Sequence, residues 1–449
     1  MIKICFLLLF VSSISYPQQI KIEIKNLTTE IPTFSSLEGE NVTSIDAVAS
    51  IGRGIFIIDI TSRNLRTGFY RLSFDKNRSV DFIYDGMDVS LTTEVNHILD
   101  SMMVISSESN RLYYSFVKLN KSYKAKSDLL QLILARYPKD DEFYDITKNR
   151  LSELQLEYLY FINEISQTEP ESFIARYIKS GQLPVIDGSL PLEKQLEFLK
   201  ENTLTNVNFN DSELIYSDLF TNKSIEYLTY YRNPQLPKEL LEKEFQKAVD
   251  VIINKAKVNQ LVYQHVVDYL IDGFKKFGFD LTLDYIIENY VVKDDLCLDE
   301  ETENSIQNRV DQAQLLYVGA IIPNVVLPDS NGTNIDLSKI VTAKVVILFY
   351  ASWCPHCKEM IPKLRKVYES QQGKEFEVVA ISLDSERNEW LNFVEENCPE
   401  WLNVNAPDGW DSKVVLDFYI YATPTIFVVD KEKKIIGKPL KVEELIRMF

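Results

Sequence analysis

The chain has 449 residues, 45% of them hydrophobic and 25% charged, a balance that excludes a disordered chain and is too long for one ordinary core. With 66 acidic against 48 basic residues its formal net charge is −18, which excludes the basic face that a nucleic-acid partner requires. The acids and bases are interspersed, so the charge reads as a solubility feature.

The chain opens "MIKICFLLLFVSSISYPQQ". Lys3 supplies a positive start, Ile4 to Val11 form an apolar stretch too short to span a bilayer, and Ser12, Ser13 and Ser15 offer a cleavage site. This predicts a signal peptide over residues 1–16, loss of Cys5 with it, and export to the periplasm without stable membrane insertion. A buried N-terminal strand is the alternative. Four cysteines then remain (Cys297, Cys354, Cys357 and Cys398) in a compartment that permits disulfides, too few for a disulfide scaffold.

Residues 17–104 read as a β-rich domain. "IKIEIK", "GIFIIDI", "GFYRLSF" and "SVDFIYDGMDVSLTT" alternate or cluster β-branched and aromatic residues between turns at Asn77 and Gly86. They predict a small antiparallel all-β sandwich with no chemistry of its own. Over residues 105–315 the period changes to three and four, and an all-α domain is predicted. Thr168 is read as the N-cap of a helix with Pro170 in its first turn. The tyrosines at helical spacing either line a peptide groove or fill the core with their phenol tips in water, and the lone His265 is read as structural.

Residues 316–449 predict an α/β domain. "NVVLPDSNGTNIDL" reads as a hairpin turning at Asn331-Gly332, and "AKVVILFYAS" as a strand covered on both faces. The helix that starts at Cys354, the strand "FEVVAISLD", the helix "RNEWLNFVEENC", a short helix, the hairpin "TPTIFVVDKEKKII" and a last helix complete a mixed sheet with helices on both sides.

The chemistry lies in "ILFYASWCPHCKEMIP", residues 347–362. A buried strand delivers Cys354 to a helix N-terminus, where unpaired N–H groups and the helix dipole favour a thiolate. Thiols in this setting have pKa values lowered from about 8.5, to roughly 3.5–7.5. Cys357, one turn on and more buried, is the resolving thiol. His356 adds a donor and, when protonated, a positive charge beside Cys354, and Pro355 stiffens the first turn. A metal site lacks a second ligand pair at sensible spacing. A structural disulfide closing so short a loop would constrain little. A catalytic dithiol is the preferred reading.

"FYASWCPHCKEMIP" followed by "ATPTIFVVD" resembles the thioredoxin superfamily, specifically the TlpA/ResA-like exported thiol–disulfide oxidoreductases, over roughly Tyr317 to Phe449. The resemblance implies that Pro424 is the cis-proline facing the active site, with the Thr423 backbone pairing with substrate beside Cys354. It makes Trp353 the aromatic flank and Pro362 the kink in the active-site helix. The domain order, with "TGFYRLSF" and "SSESNRLYYSF", resembles multidomain proteins of Bacteroidetes-type bacteria.

Two departures stand out. Thioredoxin's buried Asp is replaced by Leu348, and the carboxylate that many relatives carry three residues after the second cysteine is replaced by Met360, with Glu359 one place earlier. Either Glu359 or a water would have to accept the resolving thiol's proton. The resemblance implies no cofactor and no metal, protein disulfides as substrates, and recharging by a membrane or periplasmic electron donor. Reduction is the preferred direction. A disulfide oxidase or isomerase, for which the Pro-His dipeptide speaks, is the alternative, followed by a peroxiredoxin-like peroxidase and a non-catalytic binding protein. Cys297 and Cys398 are either a disulfide between domains or two inert buried thiols.

Overall fold

The computed structural model describes residues 19–27, 31–52, 54–60, 63–75, 77–370 and 376–449; the leader read over residues 1–16 lies outside them. The chain divides into two units, Met1–Phe277 and Gly278–Phe449.

In the first unit, alternation produces the strands. β1 (Gln19–Lys25) turns Ile20, Ile22 and Ile24 inward, all fully buried. It is followed by β2 (Thr33–Glu38), β3 (Asn41–Ala47), β4 (Ser50–Gly52), β5 (Ile55–Asp59), β6 (Gly68–Ser73), β7 (Ser79–Tyr84), β8 (Val89–Glu94) and β9 (Met103–Ser106). Among the described residues these form a five-stranded sheet, ordered β4-β5-β1-β8-β9, and a four-stranded sheet, ordered β3-β2-β6-β7. One core containing Ile22, Phe34, Phe56, Leu72, Phe82 and Leu91 joins them into the expected sandwich. It is not wholly antiparallel, because β1 and β8 pair in parallel. Between them the chain passes through the other sheet, a crossover that local patterning does not reveal.

The helical part of this unit comprises α1 (Glu108–Arg136), α2 (Glu142–Thr168), α3 (Phe173–Ser180), α4 (Leu192–Asn202), α5 (Leu219–Thr229), α6 (Lys238–Ala256) and α7 (Gln260–Lys276). The predicted cap at Thr168 is displaced. Thr168 ends α2, its hydroxyl donating back to the Glu164 carbonyl, and Ser172 caps α3 instead. Pro170 disfavours helix at the residue before it, so it terminates α2 and does not open α3. Tyr158, Tyr177 and Tyr227 are core, but their phenols are bonded within the protein and not left in water, Tyr158 to Asn120 (2.8 Å), Tyr177 to Asp218 (2.8 Å) and Tyr227 to the Lys200 carbonyl (3.0 Å), whereas Tyr137 and Tyr160 are exposed.

The second unit starts with α8 (Asp280–Ile286), a π-helical turn over Ile287–Val292, and α9 (Glu300–Leu315). The hairpin of β10 (Val326–Pro328) and β11 (Asn334–Asp336) follows, with Gly332 at φ 83° in its turn. Then come β12 (Lys344–Tyr350), α10 (Pro355–Ser370), β13 (Phe376–Ser382), α11 (Arg387–Asn397), β14 (Leu402–Asn405), α12 (Lys413–Asp417), β15 (Thr425–Asp430), β16 (Ile435–Gly437) and α13 (Val442–Ile446). The sheet order is β14-β13-β12-β15-β16, with β12 parallel to β13 and antiparallel to β15. β12 is central and buried on both faces, as its unbroken apolar run predicts. Val346, Leu348 and Tyr350 face a core containing Cys357, Leu364 and Trp390; Val345, Ile347 and Phe349 face one with Val415 and Phe418. β14, four residues including two asparagines, carries too little pattern to announce itself.

One side chain joins sandwich to helix in the first unit. β7 is an edge strand, and the fully buried Asn110 of α1 completes it, accepting from the Ile83 N–H (2.9 Å) and donating to the Ile83 carbonyl (2.7 Å). Asn110→Ala leaves both backbone groups buried without that partner and is expected to cost about 2–4 kcal/mol in the first unit's denaturant unfolding. A change below about 0.5 kcal/mol would show the contact to be dispensable.

Candidate active site

The sheet and the first turn of α10 decide where the sulfurs lie. β12 ends at Tyr350, and Cys354 takes the position immediately before α10, its carbonyl accepting the Lys358 N–H (3.1 Å) as the first helical bond. The N–H groups of His356 and Cys357 lack helical partners at this end and turn to the Cys354 sulfur. Burial opposes ionisation of Cys354, yet the Thr423 hydroxyl, the Cys357 thiol and these two N–H groups outweigh it and hold its pKa below the ordinary thiol value. Cys357 is fully buried, and the same burial pushes its thiol up to about 12. The two sulfurs, one turn apart, therefore differ in kind.

The second half of the site comes from the loop before β15. Thr423-Pro424 is a cis peptide, as the motif implied, and the Cys354 thiol donates to the Thr423 carbonyl at 3.3 Å. Trp353 is 54% exposed on the flank, and Pro355 and His356 are exposed beside it. Pro362 lies inside α10. The structure thus brings Trp353, Cys354, Pro355, His356, Cys357, Thr423 and Pro424 into one place.

Two expectations change in detail. His356 acts on Cys354 through its backbone N–H, while its imidazole bears on Glu359. Glu359 is exposed and accepts from Lys363 (2.8 Å), and that ion pair together with His356 holds its carboxyl low. It points along the solvent face of α10, where the i,i+4 partner lies, and does not reach toward the sulfurs. Met360 packs against the core, and Leu348 is fully buried within it. Cys398 is buried, donates to the Asn403 side chain (3.5 Å) and is pushed up to about 12 by burial, whereas Cys297 is exposed. Both are free thiols, so they are neither paired nor both buried.

A residue outside the sequence reading supports the turn. Asp384, 2% exposed just past β13, accepts from the Ser352 N–H (3.0 and 3.1 Å), the Ser352 hydroxyl (2.7 Å) and the Ser382 hydroxyl (2.6 Å). A buried carboxylate is tolerated only when so fully bonded, and this one fixes the backbone two residues before Cys354. Its signal was available: an acid at the carboxyl end of a buried parallel strand, where α/β folds place their sites.

Residues 318–438 match the AhpC/TSA family. The chain is 26% identical over 125 residues to the thiol-disulfide oxidoreductase ResA of Bacillus cereus, covering 27% of this chain and 69% of that protein. It is 31% identical over 120 residues to ResA of Bacillus subtilis, covering 26% of this chain and 64% of that one. The second unit is a thioredoxin-fold domain of the thiol–disulfide oxidoreductase class. Among solved structures, the thioredoxin domain of a thiol-disulfide oxidoreductase from Bacteroides vulgatus is similar at 26% identity and a TM-score of 0.28, over 30% of this chain and 95% of that one. The chain therefore shares about two thirds of each ResA with this domain and carries some 270 residues of a separate unit ahead of it.

The asymmetry of the thiols is open to direct measurement. In reduced Cys297→Ser protein, iodoacetamide is expected to modify Cys354 with a midpoint below that of an unperturbed thiol, and to leave Cys357 and Cys398 unmodified at pH 8. Peptide mass mapping reads the result. Equal labelling of Cys357 would overturn the assignment of roles.

Proposed function

We propose that the protein is an exported disulfide reductase acting on other proteins through Cys354 and Cys357. The observation that carries this reading is the placement of the Cys354 sulfur, held at the N-terminus of α10 and 3.3 Å from the carbonyl that precedes cis-Pro424. In the reducing direction the Cys354 thiolate attacks one sulfur of a substrate disulfide. The substrate S–S bond breaks, its second sulfur leaves as thiolate and takes a proton, and a mixed disulfide forms with the substrate segment paired along Thr423. Cys357 then loses its proton and attacks the Cys354 sulfur, releasing the reduced substrate. Two electrons have passed to the substrate, and the Cys354–Cys357 disulfide awaits a dithiol donor, membrane-bound or periplasmic.

Periplasmic location rests on the apolar leader and on the use of a dithiol where disulfides persist. No helix among the described residues is long and apolar enough to cross a membrane. A second direction has a specific observation behind it. Glu359 is committed to Lys363, and Met360 and Leu348 stand where relatives place carboxylates, so resolution of a mixed disulfide lacks the usual carboxylate base. That favours an oxidant, for which the Cys354 thiolate is the good leaving group.

Insulin reduction tests the assignment of the pair. Wild type is expected to reduce insulin with dithiothreitol as donor, Cys354→Ser to fall to background, and Cys357→Ser to accumulate a mixed disulfide visible by non-reducing electrophoresis. Activity surviving Cys354→Ser would sink the proposal. The reduction potential separates the directions: a value near about −270 mV is expected for the reductase, whereas one near about −120 mV would assign the protein to oxidation.

A further inference from the structure

The loop that carries Thr423 and Pro424 is held from a segment that precedes the family match. The AhpC/TSA match begins at residue 318, while α8 and α9 span Asp280–Ile286 and Glu300–Leu315 within the same unit. Three contacts cross from these helices to the chain between α12 and β15. The Gln312 side chain, 5% exposed, donates to the Phe418 carbonyl (3.1 Å) and the Tyr419 carbonyl (3.1 Å). The Arg309 guanidinium lies over the Tyr421 ring, 4.1 Å from its centroid, and donates to Asp284 (2.5 Å) and Asp280 (2.7 Å). The Tyr421 hydroxyl reaches the same Asp284 oxygen at 3.4 Å.

The arrangement is built to hold a ring in place. An arginine stacked on an aromatic face and held by two carboxylates presents a rigid plane, since its planar fork loses little freedom per bond made. Its side chain is only 14% exposed, so the pairing operates largely out of water. Tyr421 is two residues before Thr423, and the next bond inward, from the Thr425 hydroxyl to the Ala422 carbonyl (2.8 Å), ties the same loop to the start of β15. Tyr419 adopts φ 49°, a left-handed conformation unusual for a tyrosine, and its carbonyl is one of the two that Gln312 holds. Every external support of the loop named here on the α9 side therefore comes from residues that the family match leaves out.

We infer that Arg309, with Asp280, Asp284 and Gln312, forms a bracket that positions the Tyr421–Pro424 loop for pairing with an extended protein substrate beside Cys354. These are positioning residues: Arg309 and Asp284 touch Tyr421, Gln312 holds the carbonyls of Phe418 and Tyr419 just before it, Asp280 acts through Arg309, and none is shown against the reacting sulfurs. The inference rests on the reading of Cys354 as the attacking sulfur and Thr423 as the substrate-pairing backbone. Its consequence is selective. A protein or peptide disulfide must align along the loop, whereas a small aromatic disulfide needs only the Cys354 sulfur.

The test compares two substrates on the full chain. Arg309→Ala is expected to raise KM for insulin at least fivefold while changing the single-turnover reaction with the small disulfide dithionitrobenzoate less than twofold. Arg309→Lys, which keeps the charge and loses the planar fork, is expected to restore less than half of the loss. Gln312→Leu, close in size and without the two donors, is expected to show the same selective rise should Arg309→Ala fail to fold. Equal losses with both substrates, or no loss with either, would overturn the bracket. Failure of wild type to reduce insulin would instead bring down the reading on which it rests, so the two failures remain distinguishable.

Discussion

A sulfur that must be ionised without being hydrated has to find its stabilising groups on separate pieces of chain. In this protein one such donor is the Thr423 hydroxyl, on a residue 69 positions away whose carbonyl accepts from the neutral Cys354 thiol at 3.3 Å, and much of the second unit serves to keep the two together. From below, β12 and β13 run in parallel and bring Asp384 under Ser352, which fixes the turn entering α10. From the side, β15 pairs antiparallel with β12, so the residues before it arrive beside the turn leaving it. Neither strand could be replaced by a helix without separating these two turns. The sheet order is thus the scaffold of the chemistry, and the helix end supplies the N–H groups that the sulfur uses.

Those parts with a local cause were legible in the sequence. The unbroken run "KVVILFY" announced a strand covered on both faces, and Cys-Pro-His-Cys after it announced a helix start, because each depends on neighbours in sequence alone. Thr423 and Pro424 became legible only through resemblance, since nothing in "YATPT" says what it faces. What could not be seen was bonding between distant segments. Asp384 reads as one acid among 66 until the fold sets it under Ser352. The parallel pairing of β1 with β8 depends on a path through another sheet. Thr168 shows a different failure: Pro170 ends the preceding helix instead of opening the next one, which starts four residues later than read, capped by Ser172.

Charge and burial divide the four described cysteines into separate roles. The donors around Cys354 lower its pKa, burial raises those of Cys357 and Cys398, and Cys297 stands exposed. Burial alone does not predict reactivity here: Cys354 is itself only 5% exposed, but the Thr423 hydroxyl, the Cys357 thiol and the two N–H groups outweigh burial at its sulfur, whereas burial wins at Cys357. The same physics operates in the first unit, where burial raises the phenols of Tyr113 and Tyr177 beside Asp218, the latter donating to that carboxyl.

The high pKa of Cys357 has an electrochemical meaning. A thiol pushed up to about 12 stays protonated across the whole range in which proteins work, while its neighbour is already a thiolate above its own lowered pKa. Between those two values the reduced pair holds one proton, so closing the disulfide releases one proton with its two electrons. Each pH unit then moves the midpoint by about 30 mV, half of the shift that an ordinary dithiol carrying two protons would show. Above the lowered pKa of Cys354, a couple of this kind keeps its driving force more nearly constant when the acidity around it changes, and the opposite shifts of its two buried sulfurs are what give it that property.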